Sequence, residues 1–310
     1  MKHWKFLGWR LANGFFVLWA TATLIFLAIN LTPGDPAVTV LGSPEALPTP
    51  AVLKLIRSEY GFDQPLHTQY FHYLIRLLQG NLGDSYRLHA PVAHLISQQI
   101  GASAELALGA IPLGASIALI IAITTAKRAR WLTALSNFIE VTLSSVPDFI
   151  LGLLLLLVFS FSLHLFPSSS TRGWTSIVLP IVTLALPISA MLSQVLRREL
   201  EEILEQPFII TARTRGLSDA AVRLGHALRH ALIPTVTISG MLFAGLLSNA
   251  VIIETVFNRQ GLGRLMADSA TNRDVPMVLG IALLATFINI VVNIIIDFIY
   301  VSIDPRVDRQ

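Results

Sequence analysis

Long apolar runs separated by short polar segments dominate the chain. Six runs reach the length of about 20 residues that a helix needs to cross the ~30 Å hydrocarbon core of a bilayer. They extend from Leu11 to Leu31, from Leu106 to Ala126, from Val141 to Phe166, from Trp174 to Leu196, from Ala231 to Ile253 and from Val275 to Ile296. The pattern predicts an all-α membrane protein with six transmembrane helices. The first run is too long for a signal peptide and no small-residue cleavage site follows it, so we expect an uncleaved helix.

The segments between the runs predict three regions. Residues 1–31 are the N-terminal tail and transmembrane helix 1, residues 32–103 an external subdomain, and residues 104–310 a five-helix core. Within the external subdomain, proline, glycine and cap signals predict two short helices, over Pro50 to Tyr60 and over Pro65 to Gln79.

The longest inner segment of the core covers residues 197–234. It opens with arginines and glutamates and is interrupted by Pro207. Ser218 is the type of residue that caps a helix N-terminus. The apolar residues that follow at three- and four-residue spacing are Ala221, Leu224, Leu228 and Leu232. We expect a short amphipathic helix there, whose apolar face packs either on the membrane helices of its own chain or on a partner.

Charge decides which way the helices face. Only 13% of the residues are charged, whereas soluble proteins carry about 25%. With the N-terminus inside, the cytoplasmic segments hold fourteen of the 22 Lys and Arg residues and the outer segments eight. Basic residues in short loops stay on the cytoplasmic side, so both termini are expected there. The net charge of +3 is therefore a signal of topology. No basic patch interleaved with aromatic residues indicates a nucleic-acid partner.

Motifs for catalysis or nucleotide binding are absent from the sequence. A P-loop needs Lys followed by Ser or Thr, but His, Phe, Leu and Arg follow the lysines Lys2, Lys5, Lys54 and Lys127. Neither the zinc-protease nor the serine-hydrolase pattern occurs. The chain has no cysteine, and the pairs His67 with His72 and His89 with His94 lack the four-residue spacing of chelating helical histidines. We expect no enzyme activity, no cofactor and no metal site in this chain.

Polar residues at membrane depth are candidates for the passage. Asp148 lies eight residues into the third run, and intramembrane carboxylates usually face a bundle interior or a water-filled path. It either lines a pathway or bonds to a neighbouring helix, and Asn249 is a second possible pathway residue. We expect an interfacial, structural role for Asp297, where the sixth run returns to the cytoplasm, and Glu140 and Glu254 stand at helix ends, where a charge is tolerated.

Motifs along the whole chain resemble one family. The inner loop reads Thr211-Ala212-Arg213-Thr214-Arg215-Gly216-Leu217 and then continues from His226 to Pro234. This is similar to the signature loop of ABC importer permeases, in the branch for dipeptides, oligopeptides and nickel and of the first-permease type. Eight further motifs occur in the family's order: Gly34-Asp35-Pro36, Gly61 to Leu66, Gly80 to Ser85, Pro91-Val92, Pro147-Asp148-Phe149, Glu254 to Phe257, Gly261-Leu262-Gly263 and Asp304 to Val307.

The resemblance implies a fold, a location and a set of partners. The fold is that of a type I ABC importer permease in the bacterial inner membrane, with an external helical insertion between helices 1 and 2. The partners are a second homologous permease, two cytoplasmic ATPase subunits, an external solute-binding protein and membrane lipid. The family's loop contains a coupling helix that docks on the ATPase. The residues that this assigns to coupling are Thr211, Ala212, Arg213, Arg215, Gly216 and Leu217. Arg213 and Arg215 either meet acidic groups of the ATPase or face water.

The solute remains open between two hypotheses. The outer segment from Asp35 to Pro50 and the pair Gly173-Trp174 look more like the nickel or metal-chelate permeases, which favours nickel slightly. Import of dipeptides or oligopeptides is the alternative. A secondary transporter or channel is a more remote one, and the paired half-repeats common in such proteins are not visible.

Overall fold

The structure, a computed structural model, describes residues 2–31, 35–40, 49–169 and 173–303. The helices of the described residues are, in order, α1 (Lys2–Leu31), α2 (Pro36–Val40), α3 (Pro50–Tyr60), α4 (Leu66–Leu78), α5 (Val92–Thr125), α6 (Arg130–Ser145), α7 (Asp148–Leu155), α8 (Thr175–Ile203), α9 (Pro207–Thr214), α10 (Asp219–Ala221), α11 (Leu228–Val256), α12 (Leu262–Thr271) and α13 (Val275–Ile303). For some residues within these ranges, chiefly in α1, α11 and α13, the structure describes the backbone alone. Two π-helical stretches, Leu156–Ser162 and Val222–Ala227, follow α7 and α10 directly. The prediction of an all-α protein is confirmed.

Membrane-spanning length is present in most of the predicted segments. Among the described residues, four helical segments are long and apolar enough to cross a bilayer, namely Gly8–Ala28, Val92–Thr125, Thr175–Ile203 and Val275–Ile296. Helices α6 and α7, with the π-helical stretch after α7, form a fifth, bent candidate. The run from Ala231 to Ile253 lies in α11, several of whose side chains lie outside the described set. The count of six spans and the side of the termini stay predictions.

The third predicted span is not one continuous helix, so that prediction is wrong in detail. α6 ends at Ser145, Val146 is extended with φ −79° and ψ 126°, and α7 begins at Asp148. The two halves are bent by 105°. Pro147 is the physical cause, because a proline ring disfavours helical backbone at the residue before it. The apolar character of the run continues through the break, which is why hydropathy alone did not reveal it.

The chain divides into two compact units. The first contains Met1–Gly101 and Arg264–Val291, and the second contains Ala102–Gly263 and Val292–Gln310. The division of the sequence into regions at residues 31 and 103 stays a prediction.

The short helices of the first unit confirm the cap signals. α3 has the predicted bounds, and α4 differs from the prediction by one residue at each end. Gly61 and Gly80, which follow the two helices, have φ of 72° and 75°. Glycine reaches this left-handed conformation without the strain that a Cβ causes. Ile56 of α3 is buried together with Ala37 and Val40.

A buried carboxylate holds the loop between α4 and α5. Asp274 is 1% exposed and accepts hydrogen bonds from the hydroxyl of Ser85 and, at 3.1 Å, from the N–H of Tyr86. The Ser85 hydroxyl also accepts a hydrogen bond from the N–H of Leu88 at 2.9 Å. The motif that ends at Ser85 is therefore anchored by a residue 189 positions later, which the sequence did not single out.

The core of the second unit forms around α8. Its largest buried cluster includes Leu184 and Leu192 of α8 with Leu106, Leu156 and Phe257. A second cluster joins the end of α8 to α9, with Leu200 of α8 and Ile209 of α9 among its fully buried members. These two clusters hold the polar sites described below at defined positions.

Candidate coupling surface

The segment predicted to couple to a partner is shorter and more helical than the sequence suggested. α8 continues to Ile203 and α11 begins at Leu228, so residues 204–227 connect them. We call these residues the coupling segment. The opening charges of the predicted segment over 197–234 belong to the last turns of α8, and the cytoplasmic position of that segment stays a prediction. Within the segment, Pro207 occupies the first turn of α9, where its missing N–H costs no helical hydrogen bond.

The turn after α9 depends on a glycine. Gly216 has φ 86° and its N–H donates to the carbonyl of Arg213 at 3.0 Å. A Cβ added to Gly216 would meet no atom within 4 Å. The glycine is therefore required for its backbone conformation and not for lack of space.

The structure separates the predicted coupling residues into two groups. Those whose side chains or backbone are exposed are Thr211, Arg213, Arg215, Gly216 and Leu217. Ala212 is only 6% exposed and packs with Ile209 and Val222 in the cluster at the end of α8. Ala212 thus seats α9 on its own chain, while the other five face outward.

Apolar side chains lie exposed on the same segment. Phe208, Ile210, Leu217 and Leu224 are between 40% and 58% exposed, although each is a residue type that usually packs inside. The Phe208 ring lies 5.4 Å from that of His230 in an edge-on arrangement. The sequence pattern indicated Leu224 but not Phe208 or Ile210, because the spacing of these two residues forms no regular apolar stripe.

The cap predicted at Ser218 is confirmed, and the residues after it are helical as predicted. The Ser218 hydroxyl accepts a hydrogen bond from the N–H of Ala221 at 3.3 Å. The helix is not a short separate one, because α10 continues through the π-helical Val222–Ala227 into α11. Ala221 and Leu224 of the predicted apolar face are exposed, whereas Val222 and Ala227 are buried. A π-helical turn takes an extra residue, which shifts the face that an α-helical spacing predicts.

Asp219 is the centre of a charge cluster that ties the coupling segment to the end of α5. Its carboxylate accepts from Arg223 and Arg128, each at 2.8 Å, and from Arg213 at 3.5 Å. Arg223 is 3% exposed and also donates to the carbonyls of Ile123 and Ala126, at 3.3 and 2.8 Å. A guanidinium suits these last carbonyls of a helix, which have no helical partner.

The hydrogen bond from Arg223 holds the pKa of the Asp219 carboxyl below its usual value, against the opposing effect of desolvation. A second pair lies beside this cluster, where the Lys127 ammonium contacts the Glu205 carboxylate. That hydrogen bond raises the pKa of Lys127 and lowers the pKa of Glu205. Both side chains are largely exposed, so water and salt weaken the pair.

A buried ion pair links α6 to α8 in the second unit. Arg197 donates to both carboxylate oxygens of Glu140, at 2.9 and 2.5 Å. Ser136 and Ser193 donate to the same carboxylate at 2.7 and 2.8 Å, and Arg197 also donates to Asn137. The side chains of Arg197 and Glu140 are 7% and 1% exposed. Arg197, which the sequence placed at the start of the inner segment, lies within α8, and the pair with Glu140 is buried inside the chain.

Glu254 explains why two separate motifs occur together. Its side chain is fully buried, and the hydroxyl of Ser103 donates to it at 2.5 Å. The same hydroxyl accepts from the N–H of Leu262 at 2.8 Å. A Cβ on Gly261 would overlap the Glu254 carboxylate, and one on Gly263 would overlap the backbone of Val251. The Gly-Leu-Gly turn can therefore lie directly on α11, where the buried Glu254 carboxylate packs against it.

The structure does not join the two candidate pathway residues. Asp148 is half-buried in the first turn of α7. In the described part of the chain, its carboxylate forms no hydrogen bond or ion pair. Asn249 is exposed on α11. The side chain of Asp297 lies outside the described set. Among the described residues, no three His, Asp or Glu side chains come together as possible metal ligands.

Several apolar helices of membrane-spanning length define a membrane protein. Comparison with known families identifies it. Residues 110–309 match the binding-protein-dependent transport system inner membrane component, and residues 3–107 match the N-terminal family of such membrane components. The chain belongs to this family. It is an inner-membrane permease subunit of an ABC importer, in which ATP is hydrolysed by a separate partner.

Individual relatives extend over nearly the whole chain. The glutathione transport system permease protein GsiC of Salmonella typhimurium is 36% identical over 287 residues, which are 92% of this chain and 93% of that protein. GsiC of Escherichia coli is also 36% identical, over 294 residues and 94% of each chain.

Among solved structures, a chain of the MetNI methionine ABC transporter in inward-facing conformations gives a TM-score of 0.56 at 16% identity. It covers 68% of this chain and 96% of that one. A chain of an amino acid ABC transporter with histidines gives 0.53 at 16% identity, over 67% and 94%. These structures confirm the type I importer permease fold.

Proposed function

We propose that this chain, with a second homologous permease, forms the passage for a small peptide-like solute such as glutathione or a dipeptide. The observation that carries the proposal is the 36% identity to glutathione permeases over 92% of the chain. The nickel hypothesis rested on a short outer segment, of which residues 41–48 lie outside the described structure. The relatives support the peptide alternative better than nickel.

Two ATPase subunits and an external solute-binding protein complete the proposed importer. The coupling segment is the proposed docking site for the ATPase, because it presents exposed apolar side chains beside Arg213 and Arg215. When a partner surface covers these apolar side chains, their removal from water stabilises the complex through the hydrophobic effect. Arg213 of α9 pairs with Asp219, which pairs with Arg223. Arg223 in turn donates to the carbonyls at the end of α5. A movement of α9 would therefore be transmitted to α5 through these contacts.

Asp148 and Asn249 are the proposed residues of the passage. A carboxylate at membrane depth is costly unless it meets polar groups or water. Asp148 has no partner among the contacts of the described residues, and Asn249 is exposed in the isolated chain. A water-filled path between two permeases would hydrate both. Asp148 stands at the start of α7, where the helix dipole also favours a negative charge.

Transport in proteoliposomes tests the solute. The complete importer, with its ATPases and binding protein, would be supplied in turn with labelled glutathione, a labelled dipeptide, and nickel as the free ion and as a histidine chelate. We expect ATP-dependent accumulation of glutathione or the dipeptide. Accumulation of nickel without either peptide would overturn the peptide assignment and leave the permease assignment intact.

Replacing Gly216 with alanine tests the coupling segment. Alanine in the left-handed region costs about 1–2 kcal/mol, so the turn after α9 should change shape while membrane insertion is unaffected. We expect ATP hydrolysis that no longer responds to the loaded binding protein, together with reduced transport.

Gly225→Ala is the matched control, because a Cβ there also meets no atom within 4 Å and its φ is not positive. Normal coupling in both variants would remove the role assigned to the turn.

A further inference from the structure

A short helix outside the core packs against the first membrane span. The Tyr70 hydroxyl of α4 and the Thr23 hydroxyl of α1 are 2.7 Å apart. The ring of Phe26 lies 5.3 Å from that of Tyr70 and 5.7 Å from that of Tyr73. The hydrogen bonds and ring contacts that join the two helices in the described residues fall within one turn of each. α4 therefore crosses α1 instead of running beside it.

The crossing point lies inside the apolar part of α1. The spanning segment of α1 covers Gly8–Ala28, so Thr23 stands five residues before its end. With a helical rise of about 1.5 Å per residue, Thr23 lies about 7–8 Å inside that segment. α4 has 13 residues and is only about 20 Å long, which is too short to cross a bilayer.

From Phe71 to the C-terminal end of α4, one face of the helix is apolar and uncovered. Phe71, Ile75 and Leu78 are 60%, 51% and 76% exposed, and their spacing of four and three residues places them on one side of the helix. We call these three residues the α4 stripe. Leu24 and Leu27, next to the crossing point on α1, are also exposed, at 66% and 47%. The α4 stripe thus lies close to the lipid-facing surface of a membrane span.

Polar side chains occupy a different face of the same helix. His72 and Arg76 are exposed and each follows a member of the stripe by one position, which turns it by about 100° around the axis. Tyr70 and Tyr73 point toward α1. One side of α4 is therefore packed, one is apolar and one is charged, the distribution of a helix at a membrane surface.

We propose that α4 is an interfacial helix, with the α4 stripe inserted among lipid acyl chains in the leaflet that holds the C-terminal end of α1. Interfacial helices bury their apolar face about 5–10 Å into the headgroup and acyl boundary, which matches the depth of the crossing point. With the N-terminus in the cytoplasm, that leaflet is the outer one. A site for the binding protein would instead lie above the bilayer, whereas the contact with Thr23 holds this helix within it.

Spin labels on single cysteines test the proposal. The chain has no cysteine of its own, so Ile75→Cys and Leu78→Cys can each be labelled within the complete importer, its other subunits freed of reactive cysteines. His72→Cys is the matched control on the polar face. The complex is placed in bilayers of phosphatidylethanolamine and phosphatidylglycerol. Accessibility to oxygen, which concentrates in lipid, is compared with accessibility to a water-soluble nickel chelate.

We expect labels at residues 75 and 78 to show a ratio of oxygen to nickel-chelate accessibility several-fold higher than the label at residue 72. Equal ratios at all three positions would overturn the proposal. Shielding of residues 75 and 78 from both reagents would also overturn it, because a protein and not lipid would then cover the stripe.

As a second measurement, Phe71→Trp adds one tryptophan to the five of the parent chain. In bilayers of brominated lipid the variant should lose more fluorescence than the parent complex does, and an equal loss in both would contradict insertion, whatever the spin labels show.

Discussion

Replacing Glu140 with glutamine should destabilise this protein by about 3–5 kcal/mol, the typical cost of removing one member of a buried ion pair. Glutamine has nearly the same volume and can still accept from Ser136 and Ser193, so no cavity forms. What is lost is the negative charge beside Arg197, whose side chain is 7% exposed. An unpaired guanidinium in that place keeps its desolvation cost without the compensating attraction.

The prediction is measured by unfolding the purified chain in mixed micelles with increasing dodecyl sulfate, followed by circular dichroism. Glu205→Gln is the control, since it removes a carboxylate from an exposed pair with Lys127, and we expect no measurable change from it. The double variant Glu140→Gln with Arg197→Met should recover much of the lost stability, because no buried charge remains. Equal midpoints for Glu140→Gln and Glu205→Gln would refute the reasoning.

Two further predictions concern other sites. Gly261→Ala should cost about 1–3 kcal/mol through overlap with the buried Glu254 carboxylate, seen as a lower unfolding midpoint. Gly101→Ala, where an added Cβ meets nothing within 4 Å, should leave the midpoint unchanged, and similar midpoints for the two would contradict this account of the motif. The pKa of Asp219 is lowered in the folded chain, so its contribution is present above the unfolded value of about 3.9 and is lost as pH falls through the folded pKa. Protease cleavage within the coupling segment should therefore increase in that acidic range in the parent chain, and Asp219→Asn should cleave readily at neutral pH as well; the same pH profile in both would refute the role of the cluster.

Much of the fold could be predicted because its signals are local. The apolar runs of α1, α5 and α8 report membrane helices directly, since the bilayer selects for length and hydropathy without regard to the neighbouring helix. The start of α3 at Pro50, its end before Gly61 and the cap at Ser218 were also predictable, because each of these residue types acts on the backbone within a few positions.

The candidate site was only partly predictable. The turn at Gly216 was recognised by its motif, but the burial of Ala212 against Ile209 was not, since that contact requires α9 to fold back on the end of α8. The apolar face after Ser218 was misplaced because a π-helical turn depends on packing and has no simple spacing signal.

The sequence by itself determined the class of this protein, through apolar runs of membrane-spanning length and the family motifs along the chain. Only the tertiary structure decided how its buried charges are paired. Glu140 and Arg197 are 57 positions apart and Ser85 and Asp274 are 189 apart, so no local pattern in the sequence pairs them. A carboxylate is stable inside a membrane protein only when folding brings donors to it, and those donors come from helices that are distant along the chain.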